Sequence, residues 1–246
     1  MPAYSEKAFS ELERWERKTL RSPSAASKIA KNWQRKINEK IPERIHRTVS
    51  ESVKQMVRAA LAGSDYLSDQ KRLEEGSLEE REKVLADRIA MYKRTAAVEG
   101  AGTGAGGLVL GAVDFPLLLT IKMKFLFDAC KIYGFDPADY RERLFLLNVF
   151  QLCFSKEEKK REAFLKITNW EEKKEDLPDE AEFLNSVDWK TFQLEYRDFI
   201  DLPKTLQLIP GFGAIVGAAA NYHYLDVLAE YAKNSYRHRL LKQLNE

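Results

Sequence analysis

Nine of the twelve glycines in this 246-residue chain fall in two short apolar stretches. They are Gly100, Gly102, Gly104, Gly106, Gly107 and Gly111 in the first, and Gly211, Gly213 and Gly217 in the second. A glycine inside a helix costs about 1 kcal/mol relative to alanine. A chain that spends so few elsewhere concentrates them where a backbone must come close to another helix, to lipid or to a ligand. Any fold must therefore accommodate two smooth-sided apolar segments, and the rest of the chain is arranged around them.

The rest reads as helix nearly end to end. Phe9, Leu12, Trp15 and Thr19 mark one face of a first helix, which Arg21-Ser-Pro-Ser breaks. Ile29, Trp33 and Ile37 mark a second. Ile45, Val49, Val53, Met56, Val57, Ala60 and Leu61 form the wide stripe of a third, ending at Gly63. Ser77-Leu-Glu-Glu80 is a capping box opening a helix that runs into the first glycine stretch. Asp114 is expected as the N-cap of the next helix, with Pro116 in its first turn and Gly134 just past its end. Asp136-Pro137 opens a helix over 137–154, and Ser155-Lys-Glu-Glu158 is a second capping box. The acidic stretch 171–188 reads as a loop or short irregular helix around Pro178, and a long helix can run from Phe212 to about Leu244. No alternating β-branched pattern occurs. The expected fold is all-α, a single multi-helix domain over 1–246 with two central glycine-rich apolar helices. Within it lie basic N-terminal helices at 1–63, a glycine-rich core at 97–154, an acidic segment at 155–201 and a C-terminal glycine-bearing helix at 202–246.

Charge is unevenly placed although the formal net charge is only +2. Residues 21–60 carry ten Lys/Arg against three Glu, and 151–201 carry nine against fourteen Asp/Glu. The balance gives no argument for nucleic acid. The basic 21–60 region and the C-terminal helix, with Tyr231, Tyr236, Arg237, Arg239 and Lys242, are expected on solvated faces, with anionic lipid head groups as the alternative. The N-terminus has no apolar run of the signal-peptide kind, so the expectation is a cytoplasmic chain, in place or peripheral at the inner face of the cell membrane. Neither uncharged stretch, 101–113 nor 205–225, matches a spanning helix of roughly 20 predominantly apolar residues.

The chemical motifs are few. Gly102-Thr-Gly104-Ala-Gly106-Gly107 formally fits a dinucleotide fingerprint, but that motif works only between a strand and a helix, and no strand precedes it. There is no P-loop, no nucleophile elbow, and no His or Cys spacing for a metal. Cys130 and Cys153 sit in apolar helical patterns and read as reduced packing residues. No catalytic residue, cofactor or metal is assigned. The glycines pair at small-x-x-x-small spacing (Gly100 with Gly104, Gly107 with Gly111, Gly213 with Gly217), which suits helix packing or membrane contact. Asp114, Asn221 and Asp226 are the polar groups set among these segments, as core contacts or as a functional site.

Several long motifs together resemble the EcsC family. They are Val98-Glu-Gly-Ala-Gly-Thr-Gly-Ala-Gly-Gly-Leu, Asp114-Phe-Pro-Leu-Leu-Leu, Lys122-Met-Lys-Phe-Leu-Phe-Asp, Ile132-Tyr-Gly-Phe-Asp, Gln193-Leu-Glu-Tyr-Arg-Asp-Phe-Ile-Asp and Gln207-Leu-Ile-Pro-Gly-Phe-Gly-Ala. The likeness covers most of the chain and is greatest to the Bacillus-type members. It implies a protein encoded beside an ABC transporter ATPase and its membrane subunit, in a system tied to secretion. It brings no agreed catalytic residues. The expected function is a non-enzymatic accessory at the cytoplasmic membrane face, with ABC transporter subunits and an anionic membrane surface as partners. The alternatives are a hydrolase-like enzyme with a buried polar site near Asp114, Asn221 and Asp226, or a carrier of an apolar ligand.

Overall fold

The computed structural model describes residues 3–21, 43–63, 69–103, 115–186, 188, 191–192 and 217–243. These residues form nine helices and no strand. In chain order they are α1 (Ala3–Leu20), α2 (Glu43–Ala62), α3 (Leu78–Thr103), α4 (Phe115–Ile132), α5 (Tyr140–Cys153), α6 (Glu157–Thr168), α7 (Trp170–Glu175), α8 (Glu180–Ser186) and α9 (Gly217–Gln243). The expected helix over 29–37 lies outside the described residues.

Two helices fill the centre. α4 touches α2, α3, α5 and α9, and α9 touches α1, α3, α4, α5 and α6. Beyond its first turn, where Leu117 is exposed, α4 is buried along most of its length, as its apolar sequence requires: Phe115, Leu119, Met123, Phe125, Leu126, Phe127 and Cys130 are each at most 1% exposed. α5 follows suit, and Leu144, Leu147, Phe150 and Phe154 are all buried as their spacing predicts. An aromatic stack welds the two to α9: Tyr133 lies 4.8 Å from Tyr236, with Phe135 and Phe145 against the same ring at 5.4 and 5.2 Å. On the outside, Trp15 of α1 meets Phe164 of α6 and Tyr231 of α9. The buried face of α1 is Ala8, Leu12, Trp15 and Thr19, whereas Phe9 points outward at 36% exposure.

Local signals set the boundaries. Ser77 and Glu80 form the expected capping box, Glu80 N–H donating to Ser77 Oγ and Ser77 N–H to Glu80 Oε2 at 2.7 Å. Ser155 does not cap α6. Its hydroxyl turns back to the Leu152 carbonyl, and Lys156 occupies the cap position without a side-chain bond. The helix expected from Pro137 begins at Tyr140, because Asp136 spends its carboxylate on an Asx turn to Ala138 N–H while Asp139 caps Arg141 N–H. The acidic stretch holds two short helices, α7 and α8, on either side of Pro178. The three glycines outside the apolar stretches all have positive φ: Gly63 at 77°, Gly76 at 127° and Gly134 at 93°. Gly134 ends α4 as expected, with Phe135 N–H donating to the Cys130 carbonyl. A Cβ there would also lie 2.9 Å from Arg81 Nη1, so the position admits glycine alone.

Two ion pairs, one buried and one at the surface, fix the direction of α3 against α9. Glu82 of α3 pairs with Arg237 of α9, and eleven residues along α3 Lys93 meets Asp226, eleven residues back along α9. The two helices are therefore antiparallel, and the same register brings Gly102 level with Gly217. α4 is antiparallel to α3, since Arg81 reaches the Ile132 carbonyl and Tyr92 reaches Asp128. Arg143 binds the Leu61 carbonyl, so α2 lies along α4 with its C-terminal end at the start of α5. Glu43, Thr103, Phe115 and Gly217 consequently share one pole of the bundle. No described helix is long and apolar enough to cross a membrane.

Candidate functional site

The chemistry-bearing side chains group into a set of interior ion pairs and the pole where the glycine-bearing helices end. The interior set centres on Arg237 and Arg239 of α9. Both were expected on a solvated face or at lipid head groups, and both are buried, at 2% and 1% exposure. Arg237 grips Glu82 with Nε and Nη2 at 2.5 and 2.7 Å and gives Nη1 to Glu11 at 2.8 Å. Tyr4 O–H donates to the same Glu82 carboxylate, and Lys233 stands 3.3 Å away. Burial alone would raise the Glu82 carboxyl, but the bonds from Arg237 and Tyr4 outweigh it and hold the group below the usual range.

Arg239, two residues on and so on the other side of α9, repeats the arrangement toward α5 and α7. Its two terminal nitrogens hold Glu142 at 2.6 and 2.8 Å, and Nε holds Glu171 at 2.6 Å. The guanidinium lies 3.7 Å over the Phe135 ring and 4.4 Å from Phe145. Burial would lower its pKa, and the bonds to Glu142 reverse the sign. Arg143 is similarly consumed, by the carbonyls of Leu61, Pro137 and Ala138 and by Glu180. These groups tie α9, α3, α1, α5 and α7 together, with donors and acceptors turned on one another.

Three other interior groups differ. Asp128 is fully buried and accepts from Tyr92 O–H at 2.9 Å, with Arg88 at 3.8 Å. His238 is 3% exposed, and burial, reinforced by Lys242, lowers its pKa to about 4, so it is neutral at pH 7. Lys122 is 2% exposed in the middle of α4. Among the described residues its ammonium has one hydrogen-bond acceptor, the Leu118 carbonyl at 3.5 Å, and burial lowers its pKa to about 8.

A cleft of about 440 Å³ opens between α1 and α9. Its charges answer one another: Lys18 bridges to Glu230 at 3.3 Å, and Arg237 at the base is held by Glu11 and Glu82. No group of three His, Cys, Asp or Glu among the described residues could hold a metal ion. Cys130 and Cys153 are buried and form no disulfide, and burial pushes the Cys130 thiol up.

Of the polar residues singled out from the sequence, Asp226 is on the surface, 46% exposed and bound by Lys93 at 2.6 and 2.8 Å. Asp114 and the side chain of Asn221 lie outside the described residues, as do Gly104, Gly106, Gly107, Gly111, Gly211 and Gly213. Gly100 and Gly102 lie in the last turns of α3, and Gly217 is the first residue of α9. Sequence reasoning missed the Arg239–Glu142 and Arg237–Glu82 pairs. Their visible trace was Glu142-Arg143 set into the apolar run from Tyr140 to Phe154.

The model of the EcsC protein family matches residues 6–241. The chain is 47% identical over 229 residues to Protein EcsC of Bacillus subtilis, covering 93% of each. It is 28% identical over 256 aligned residues to the uncharacterized protein YdbA of the same organism, covering 96% of this chain and 93% of that one. No solved structure matches. The chain belongs to the EcsC protein family.

Proposed function

We propose that the protein is a non-enzymatic accessory working at the cytoplasmic face of a membrane with an ABC-type transport system. The observation that carries this reading is the convergence of glycine-bearing helix ends on one pole of a bundle whose interior charges are consumed structurally. Arg237, Arg239 and Arg143 are each saturated by carboxylates or carbonyls. A catalytic group needs a partner-free valence facing a substrate, and these have none to offer. The pole where Thr103, Phe115 and Gly217 meet borders the segments 104–114 and 193–216, which hold six of the chain's twelve glycines. Small-residue faces of this kind let apolar helices or lipid come close. The family resemblance supplies the transporter as the partner class.

Crosslinking in cells tests the reading. With the full chain as bait, covalent capture is expected to recover the transporter's ATPase or membrane subunit, above the level recovered by an unrelated helical protein of similar charge. A bait that sediments wholly with the soluble fraction and recovers neither subunit contradicts it.

A further inference from the structure

The membrane reading makes no use of the cleft between α1 and α9. The two helices run antiparallel there, with Glu11 at Arg237, Trp15 at Tyr231 and Lys18 at Glu230. Positions 11, 14, 15 and 18 of α1 form one helical stripe, and positions 230, 233, 234 and 237 of α9 form another facing it. The space between them, about 440 Å³, is of the size that holds a small molecule. Four of the lining side chains are cations and two are carboxylates. Lys18 answers Glu230, and Arg237 is held by Glu11 and Glu82. Arg14 and Lys233 are left over. Lys233 stands 3.3 Å from a Glu82 carboxylate that Arg237 and Tyr4 already hold. Arg14 gives Nε to the Ser10 carbonyl at 3.2 Å, and its two terminal nitrogens meet no carboxylate among the described residues.

The same walls hold two buried polar atoms that have no hydrogen-bond partner among the described residues, Trp15 Nε1 and Asn234 Oδ1. Both residues are 5% exposed. Asn234 Nδ2 donates to the Glu230 carbonyl at 2.8 Å, which fixes the amide and turns Oδ1 away from the α9 backbone. A buried donor or acceptor without a partner carries a desolvation penalty that a bound group can remove. One such donor on α1 and one such acceptor on α9 suit a ligand that brings hydroxyl groups beside its charge. Neither atom touches solvent, so a ligand engages them through a side-chain shift in the cleft wall. The charge itself is met from two sides, by the Arg14 fork on α1 and the Lys233 ammonium on α9. The three terminal oxygens of a phosphate can accept from both walls, whereas a planar carboxylate spends its two oxygens on one fork.

We infer that the α1–α9 cleft binds a small phosphate monoester bearing hydroxyl groups. Its phosphate sits between Arg14 and Lys233, and its hydroxyls accept from Trp15 Nε1–H and donate to Asn234 Oδ1. The cleft lies at residues 230–237 of α9, away from the pole of Thr103, Phe115 and Gly217. The ligand therefore comes from solution and not from a lipid head group, and the site stands whether or not the protein meets a membrane.

Calorimetric titration of the full-length protein with glycerol 3-phosphate tests the site. Saturable binding at one site is expected, with none for glycerol and weaker binding for glycerate, the carboxylate counterpart. Arg14→Gln and Lys233→Gln should each weaken it about tenfold, the worth of one charge-assisted hydrogen bond. Arg17→Gln removes a cation paired with Glu13 outside the cleft and should change nothing. Arg14 is exposed, so its replacement leaves the fold intact. In nitrogen–proton spectra the Trp15 indole N–H, identified by its loss in Trp15→Phe, should move on binding. The indole signals of the other three tryptophans should stay in place. Absence of saturable binding overturns the site, as does binding that Arg14→Gln leaves unchanged or that does not move the Trp15 signal. Tighter binding of glycerate overturns the phosphate assignment. Displacement of glycerol 3-phosphate by phosphatidic acid vesicles overturns the assignment to a ligand from solution.

Discussion

Glu142→Ala is expected to destabilise the protein by about 3–5 kcal/mol, the usual cost of removing one partner of a buried ion pair. The mechanism is specific. Arg239 is 1% exposed, and its two terminal nitrogens have Glu142 as their carboxylate. Without it, a permanently charged guanidinium stays in the core with Glu171 on Nε and two aromatic faces. Total stability of a domain is typically about 5–15 kcal/mol, so the loss is a large share. The double variant Glu142→Leu with Arg239→Met removes both charges at similar volume and should recover most of the loss. Urea unfolding of the wild type, both single variants and the double variant gives the coupling directly. A single-variant loss under about 1 kcal/mol, or strictly additive losses, would show that the pair does not hold α9 to α5.

Lys122→Met carries the opposite sign. The wild-type amine is buried with one long carbonyl contact, and desolvation lowers its pKa to about 8 from an ordinary 10.5. Below pH 8 the group is charged both folded and unfolded, and the folded state bears the full cost of burying that charge. Between pH 8 and 10.5 the unfolded chain binds more protons than the folded one, so stability rises with pH through this window. Above 10.5 both are neutral and the cost is gone. Methionine, apolar and of similar length, should therefore stabilise the fold by about 2–3 kcal/mol at pH 7. The advantage over wild type should shrink steadily above pH 8. Thermal unfolding of both proteins from pH 7 to 10.5 isolates Lys122 from the tyrosines, which both share. A variant less stable than wild type at pH 7 would mean that the ammonium has a compensating role in the core.

The fold was legible where the signal is local. Ser77 and Glu80 lie three residues apart and satisfy each other's backbone, so the start of α3 can be read without knowing the rest. Gly63 and Gly134 mark helix ends because only glycine takes their positive φ without strain. The burial of α4 follows from its nearly unbroken apolar run. Ser155 failed as a cap because its hydroxyl found a closer acceptor behind it, the Leu152 carbonyl. The interior pairs were hidden for a different reason. Arg237 and Glu82 are 155 residues apart, and Arg239 and Glu142 are 97 apart, so no window of sequence contains both partners. An unpaired view of α9 shows Arg237 and Arg239 as ordinary surface charges. The one local trace is a charge embedded in apolar residues, seen at Lys122, Asp128 and Glu142. The candidate site was legible as composition, in the clustering of glycine. Its pole became definable only when the pairs Glu82–Arg237 and Lys93–Asp226 set the direction of α3 against α9.

The membrane role is tested most directly by flotation of the purified full-length protein with neutral and with anionic liposomes, at low and high salt. Flotation with anionic liposomes at low salt is expected, with a fraction persisting in high salt. Screening removes the attraction of basic groups to the anionic surface but leaves apolar contact with the bilayer. Protein that stays at the bottom of the gradient under all four conditions contradicts the account.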